Sequence, residues 1–299
     1  MNRYAYLKAL LYAILSICCS NSCSLVDFSE DCTYYGHVEI KPDWSELPQQ
    51  KGKPGLTDIH FLSCNANNRD FRISNDTIVK DMIASTYKVL AFNSYGLQNI
   101  SFTDMGCPQT ANAVLDTYER DSKVYTYQAP DLYAANIDLT VVPFDTVICS
   151  PLLRPATRQV NIHFIVIDNG ITKVEAINGE LSGIAYIYGL ENLDQIKSSA
   201  RIAFNSVRYS ENDNIYSSGL QVFGINPDKQ GQGRIDNLLD ISLLTTNGNS
   251  YSETIDLTSV FSGFTTRIIN ITIEIRLGLS GIEVSVSGWN VSDGGHIEL

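Results

Sequence analysis

The chain has 299 residues, 44% of them hydrophobic and only 18% charged, and 21 Lys and Arg against 33 Asp and Glu give a formal net charge of −12. The apolar fraction is ample for packed cores, which argues against wholesale disorder, and a prior of about 150 residues per domain suggests two domains. A pI near 4.7 argues against nucleic acid as a partner, since phosphate binding needs clustered Lys and Arg, and disfavours charge-driven adhesion to anionic lipid heads.

Arg3 and Lys8 are the only charges before Asp27, and between them and Ser20 runs an apolar stretch of 11 residues, Ala9 to Cys19. A membrane-spanning helix needs about 20, so this reads as a secretory leader. Cys18, Cys19 and Cys23 crowd the place of a cleavage site, the pattern of a bacterial lipoprotein signal in which a Cys becomes the acylated first residue. Such signals favour a small residue before the Cys. Cys23 follows Ser20-Asn21-Ser22 and precedes an acidic tether, so it is the expected lipidation site, with Cys19 as the alternative. Cleavage before Cys23 leaves 19 basic against 33 acidic side chains, a charge of −14. Acyl chains contribute about 0.8 kcal/mol per buried methylene, so lipid rather than charge is expected to hold the protein at a membrane.

Strand signals then recur with turn chemistry between them. Gly36 to Lys41 alternates and leaves the strand at Pro42-Asp43-Trp44. Asp58 to Leu62, Thr86 to Asn93 and Ile137 to Val142 follow. Ser150 to Pro155, bounded by prolines, is the best linker. Gln159 to Ile167 is the next strand, ended by the turn Asp168-Asn169-Gly170. Val174, Ile177 and Leu181 sit at helical spacing, although Gly179 makes any helix there short. Ile269 to Leu277 is apolar at every odd position and polar at every even one, and Ile282 to Trp289 alternates again. Together they predict an antiparallel hairpin with one core face. The expected organisation is a leader at 1–22, a tether at 23–33, a β-sandwich at 34–150, a linker at 151–157 and a second sandwich at 158–299.

The search for chemistry returns little. Cys32, Cys64, Cys107 and Cys149 permit two disulfides in three connectivities, or are small buried thiols; the sequence leaves both open. No Cys-x-x-Cys, His-Glu-x-x-His, Gly-x-Ser-x-Gly or P-loop pattern occurs, so no catalytic residue, metal ligand or cofactor is assigned. His37, His60 and His163 fall within strands and read as solvent-facing or hydrogen-bonded. Asp76-Thr77-Ile78 and Asp145-Thr146-Val147 match a short O-glycosylation pattern, which nominates Thr77 and Thr146. Tyr125 with Tyr127, and Tyr186 with Tyr188, read first as core or cross-strand packing. A sugar-binding protein would need exposed, coplanar aromatic rings. A hydrolase would need two acids, or a His and a nucleophile, converging in a cleft.

A resemblance organises these pieces. Cys23-Ser24-Leu25-Val26 leads through the tether to Asp31-Cys32 and the strand His37 to Trp44. Ser85 to Ser94, Ala129-Pro130-Asp131-Leu132-Tyr133, Arg158 to Phe164 and a closing Trp289 follow in order. This ordering resembles the FimB-type fimbrial anchor lipoproteins of Gram-negative anaerobes. The resemblance implies an all-β chain of two tandem Greek-key, transthyretin-like sandwiches, lipid-anchored at the outer-membrane surface. Its partners would be fimbrial subunits joined by β-strand addition, with Cys23 as the functional residue and no catalysis. The chain departs from polymerising subunits in lacking a basic protease site and a long C-terminal extension, since only Asn290 to Leu299 follow Trp289. A surface glycan-binding lipoprotein is the alternative.

Overall fold

The computed structural model describes residues 33–48, 51–63, 67–167, 173–209, 214–226, 236–262, 264–278 and 281–292. The leader, Cys19, Cys23, Cys32, Cys64 and the turn Asp168-Asn169-Gly170 lie outside them.

The regular structure of the described chain is almost entirely strand. In order come β1 (Tyr35–Ile40), β2 (Thr57–Leu62), β3 (Arg69–Ile73), β4 (Thr77–Ile83), β5 (Thr86–Phe92), β6 (Ile100–Thr103), β7 (Asn112–Leu115) and β8 (Thr117–Arg120). Then follow β9 (Lys123–Thr126), β10 (Tyr133–Thr140), β11 (Thr146–Cys149), β12 (Arg154–Pro155), β13 (Arg158–Ile167), β14 (Val174–Ala185), β15 (Ile187–Gly189) and β16 (Asp194–Ile196). The last are β17 (Ala200–Arg208), β18 (Ile215–Val222), β19 (Gly224–Ile225), β20 (Leu238–Thr245), β21 (Ser250–Asp256), the short helix α1 (Thr258–Phe261), β22 (Ile268–Leu277) and β23 (Ile282–Ser292). The all-β expectation holds.

In the first half a three-stranded sheet, β11-β1-β4, faces a five-stranded one, β12-β10-β5-β2-β3. Alternation along each strand sends Val38, Ile40, Val79, Met82 and Cys149 of the first sheet against Ile59, Phe61, Val89, Ala91 and Ala135 of the second. In the second half one hydrogen-bonded path runs β21-β20-β14-β17-β18-β13-β22-β23. It bends where β17 meets β18 at only two residue pairs, Val207 with Ser217 and Arg208 with Tyr216. The two arms thereby fold over a shared core. Ile177, Leu181, Ile202 and Ile241 on one arm pack with Val160, Ile162, Ile271 and Ile273 on the other. The hairpin of β22 and β23 forms as the alternation predicts.

The halves are joined by more than a linker. A four-stranded sheet, β16-β15-β7-β6, takes two strands from each. Across its centre Ile187 pairs with Val114, Tyr188 with Ala113 and Gly189 with Asn112. A third core lies beneath it. Leu90 and Phe92 from β5 and Ala134 from β10 meet Leu115, Tyr188, Leu190 and Phe223. The segment read as a linker is itself tied in: Leu153 is fully buried, its N–H donates to the Asp43 carbonyl at 2.9 Å, and β12 pairs with β10.

One expectation is corrected. The stretch with Val174, Ile177 and Leu181 forms no helix. It is the twelve-residue strand β14, paired with β17 on one side and β20 on the other. A register shift between Val174 and Ala176 sets inward Val174 and Ile177 three apart, while Ile177, Gly179 and Leu181 alternate regularly, so spacings of three and four arise in a strand and imitate a helix. Gly179 is inward as well. A Cβ there would lie 2.2 Å from Phe204 Cζ, so the phenyl ring fills the side-chain space that glycine leaves. Gly179→Val is therefore expected to lower the unfolding free energy by about 1–3 kcal/mol, read as a lower denaturant midpoint, with part of the loss recovered by adding Phe204→Ala. An unchanged midpoint in the single variant would contradict this packing.

Candidate interaction surfaces

A sheet edge exposes unpaired N–H and C=O groups, and folded proteins blunt such edges by shortness or charge. Most edges here are blunted so. β12 has two residues, β16 three, and β6 and β11 four each. β3 carries Arg69, Asp70 and Arg72. β4 carries Lys80 and Asp81, the latter at φ 55°. β21 carries Glu253 and Asp256. β23 differs: it has 11 residues with Glu283 as its single charge, and among the described residues it pairs only with β22.

Side chains opposite one another in an antiparallel pair share a face, and the inner face of β23 is uneven. Val284 and Val286 stand beside Ile275 and Ile273 and are half-buried. A register shift between Thr272 and Ile273 then resets the pairing, placing Trp289 beside Ile271 and Val291 beside Ile269. Both isoleucines are fully buried, yet Trp289 is 55% and Val291 50% exposed. The core-facing side of the strand thus ends in an uncovered apolar strip next to an edge with no ladder partner among the described residues, β21 approaching part of the strand without pairing to it.

A groove of about 990 Å³ lies on the outer face of β21, β20, β14 and β17, rimmed by the β8–β9 hairpin from the first half. Its charges are largely spent on each other. Glu180 takes the Arg120 guanidinium and the Tyr125 hydroxyl, the latter at 2.7 Å. Arg201 bonds Asp240 at 2.5 Å and lies 3.7 Å from Glu180. Burial pushes the Asp240 carboxyl up, but the Thr254 hydroxyl and Arg201 outweigh it and hold that carboxyl below its ordinary range. An acid that must donate a proton needs the opposite shift, so the network reads as a clamp holding the hairpin to the sheet.

The exposed rings of Tyr34 and Phe144 meet at 79°, and partly buried Tyr118 meets exposed Tyr127 at 48° while stacking at 16° on buried Tyr125, so the exposed rings form no coplanar pair. Among the described residues no three His, Cys, Asp or Glu side chains gather as a metal site, and no helix is long and apolar enough to cross a membrane. The strand histidines are hydrogen-bonded or stacked where contacts are seen. His60 faces Asp70 at 2.7 Å and lies flat on Phe92. His37 accepts the Asp81 N–H at 3.4 Å.

The fold is shared with solved structures. The chain matches a candidate adhesin from Bacteroides ovatus with a TM-score of 0.59 and 18% identity, over 83% of this chain and 91% of that one. The fimbrial anchor protein Mfa2 from Porphyromonas gingivalis matches at 0.52 and 10% identity, over 85% and 97%. A candidate cell adhesion protein from Bacteroides eggerthii matches at 0.51 and 11%, over 85% and 95%. No family model matches the chain, and no curated protein matches it in sequence. The resemblance to fimbrial anchors read from the sequence therefore holds at the level of fold.

Of the residues nominated from sequence, Thr77 opens β4 opposite Ile40 and Thr146 opens β11 opposite His37, so both lie on edge strands flanking β1. Thr146 is exposed and Thr77 partly so. Cys107 and Cys149 are free thiols, the first exposed and the second buried. Cys32 and Cys64, like Cys23 and Cys19, fall outside the described residues. Burial pushes the Cys149 thiol from the ordinary 9.0 up to about 11. Site-resolved mass spectrometry is expected to find Cys107 alkylated in the native protein and Cys149 only after denaturation. Because the unfolded thiol ionises first, the native state should lose stability as pH rises from about 9 through 11. A Cys149→Ala chain should lack that part of the alkaline loss.

Proposed function

We propose that this protein is a non-enzymatic, outer-membrane lipoprotein that anchors or assembles a pilus, binding a neighbouring pilin by addition of a strand along the free edge of β23. The observation that carries this reading is the coincidence of a long, nearly uncharged edge with the uncovered strip of Trp289 and Val291. A docking strand gains backbone hydrogen bonds from the edge, while its alternate apolar side chains cover the strip. The fold shared with a fimbrial anchor and with candidate adhesins supports a cell-surface role. Acylation at Cys23 would fix the N-terminal end of the molecule at the membrane. The second half, more than 120 residues along the chain, would then present β23 to the pilus.

The test is affinity isolation of pilins on the full-length protein. Replacing Trp289 with Lys and Val291 with Glu together is expected to weaken pilin capture by roughly thirtyfold or more, the loss of one anchor of about 2 kcal/mol. Both side chains are half-exposed, so stability should shift by less than about 1 kcal/mol. Undiminished pilin capture by the folded double variant would overturn the assignment of this edge. Separately, Cys23→Ala should release the chain from the membrane fraction, and unchanged retention would refute acylation there.

A further inference from the structure

The N-terminal end of β1 carries an aromatic surface that the packing of the fold does not require. The β10–β11 connection runs Val142-Pro143-Phe144-Asp145 and presses against β1. The Phe144 N–H donates to the Tyr35 carbonyl at 2.8 Å, and a Cβ on Gly36 would lie 2.2 Å from the Val142 carbonyl oxygen. Phe144 itself sits at φ 60°, a turn position following proline where Gly or Asn is the ordinary occupant. Its ring is 83% exposed, so no burial offsets the strained backbone. The Tyr34 ring, 54% exposed, meets it edge-on at 5.8 Å. Tyr35 and Val142 are each 43% exposed. An outward phenylalanine held in a conformation suited to asparagine points to a use outside the folded core.

The chain leading away from this surface indicates what covers it. Only ten residues separate Cys23 from Tyr34, a reach of at most about 35 Å. A lipid on Cys23 would hold this end of the fold closest to the bilayer, at a high effective concentration. Residues 33–36 and 142–145 include no Lys or Arg, so the attraction is not electrostatic. Tyrosine and phenylalanine, apolar with or without a polar tip, are the side chains that settle at the boundary between headgroups and acyl chains. We propose that Tyr34, Tyr35, Val142 and Phe144 form a seat that rests on a neutral lipid interface and sets the orientation of the anchored protein. This rests on acylation of Cys23.

The test uses the acylated full-length protein in phosphatidylcholine vesicles, with hydrogen exchange followed in peptides covering 33–37 and 140–147. Exchange there is expected to slow about tenfold relative to the soluble Cys23→Ala chain. Phe144→Asn, matched to the positive φ, should keep or raise the melting temperature, remain in the vesicle fraction, and lose the protection. An anchored wild type without protection overturns the seat and leaves the anchor standing. If no acyl group is found on Cys23, the anchor fails. The unlipidated chain then decides the seat, because flotation with the same vesicles must be stronger for wild type than for Phe144→Asn, and equal flotation overturns it. Protection that arises only on adding pilin would make the surface a protein interface and also overturn the proposal.

Discussion

The short antiparallel pairing of β7 with β15 governs the rest of the molecule. Three residue pairs, Asn112 to Val114 against Gly189 to Ile187, close a sheet that neither half completes alone. Phe92, Leu115, Tyr188 and Phe223 are packed beneath it. Because those side chains need cover, β5 and β10 are buried on both faces at this end, and Ala134 and Ala135 leave room for neighbours on either side. The proline-bounded segment near residue 153 therefore runs along the first half as a fixed strap instead of acting as a hinge. The Glu46 carboxylate reinforces the joint by reaching both Arg154 and Arg267 at 3.2 and 3.1 Å. The same arrangement lays the β8–β9 hairpin over the second half and so creates the charged groove.

Closing the middle leaves the free edges at the periphery, where they are treated unequally. Short length, paired charges or an irregular residue such as Asp81 spoil most of them as templates. β23 has a register shift that re-aims its end, but the shift turns Trp289 and Val291 over the core instead of away from it. Near the first residues of β1, by contrast, the exposed groups Tyr34, Tyr35 and Phe144 are aromatic and no long edge lies beside them. The two surfaces differ in chemistry: one offers backbone hydrogen bonds with an apolar strip, the other only side chains suited to an interface between water and hydrocarbon.

The sequence displayed the strands wherever one face is buried and the ladder is regular. Ile269 to Leu277 alternates without a break, and β22 is buried in the same rhythm. β14 carries an ambiguous signal because a bulge sets Val174 and Ile177 three apart while two regular strand steps set Ile177 and Leu181 four apart, together the helical spacing. The junction sheet was illegible for a different reason. β15 and β16 have three residues each, too few for a period, and β7, the partner of β15, lies more than 70 positions away. The groove was hidden likewise, since Arg120, Glu180, Arg201 and Asp240 come from four separate strands with no local pattern linking them. The edge of β23 was half legible. Its alternation was clear, but whether another strand covers it depends on topology, which no local window contains.

The shared sheet also has a consequence in time. A chain exported N-terminus first delivers the first half before the second, so for an interval β7 stands with one edge unfilled, until β15 follows about 70 residues later. Throughout it Leu90, Phe92 and Leu115 lack the aromatic cover of Tyr188 and Phe223, and Asn112 to Leu115 present an open template. A chain interrupted before residue 187 keeps that template permanently. The first half thus waits for its neighbour, and the order in which the chain emerges, as much as the final packing, decides how long it is vulnerable to pairing with the wrong strand.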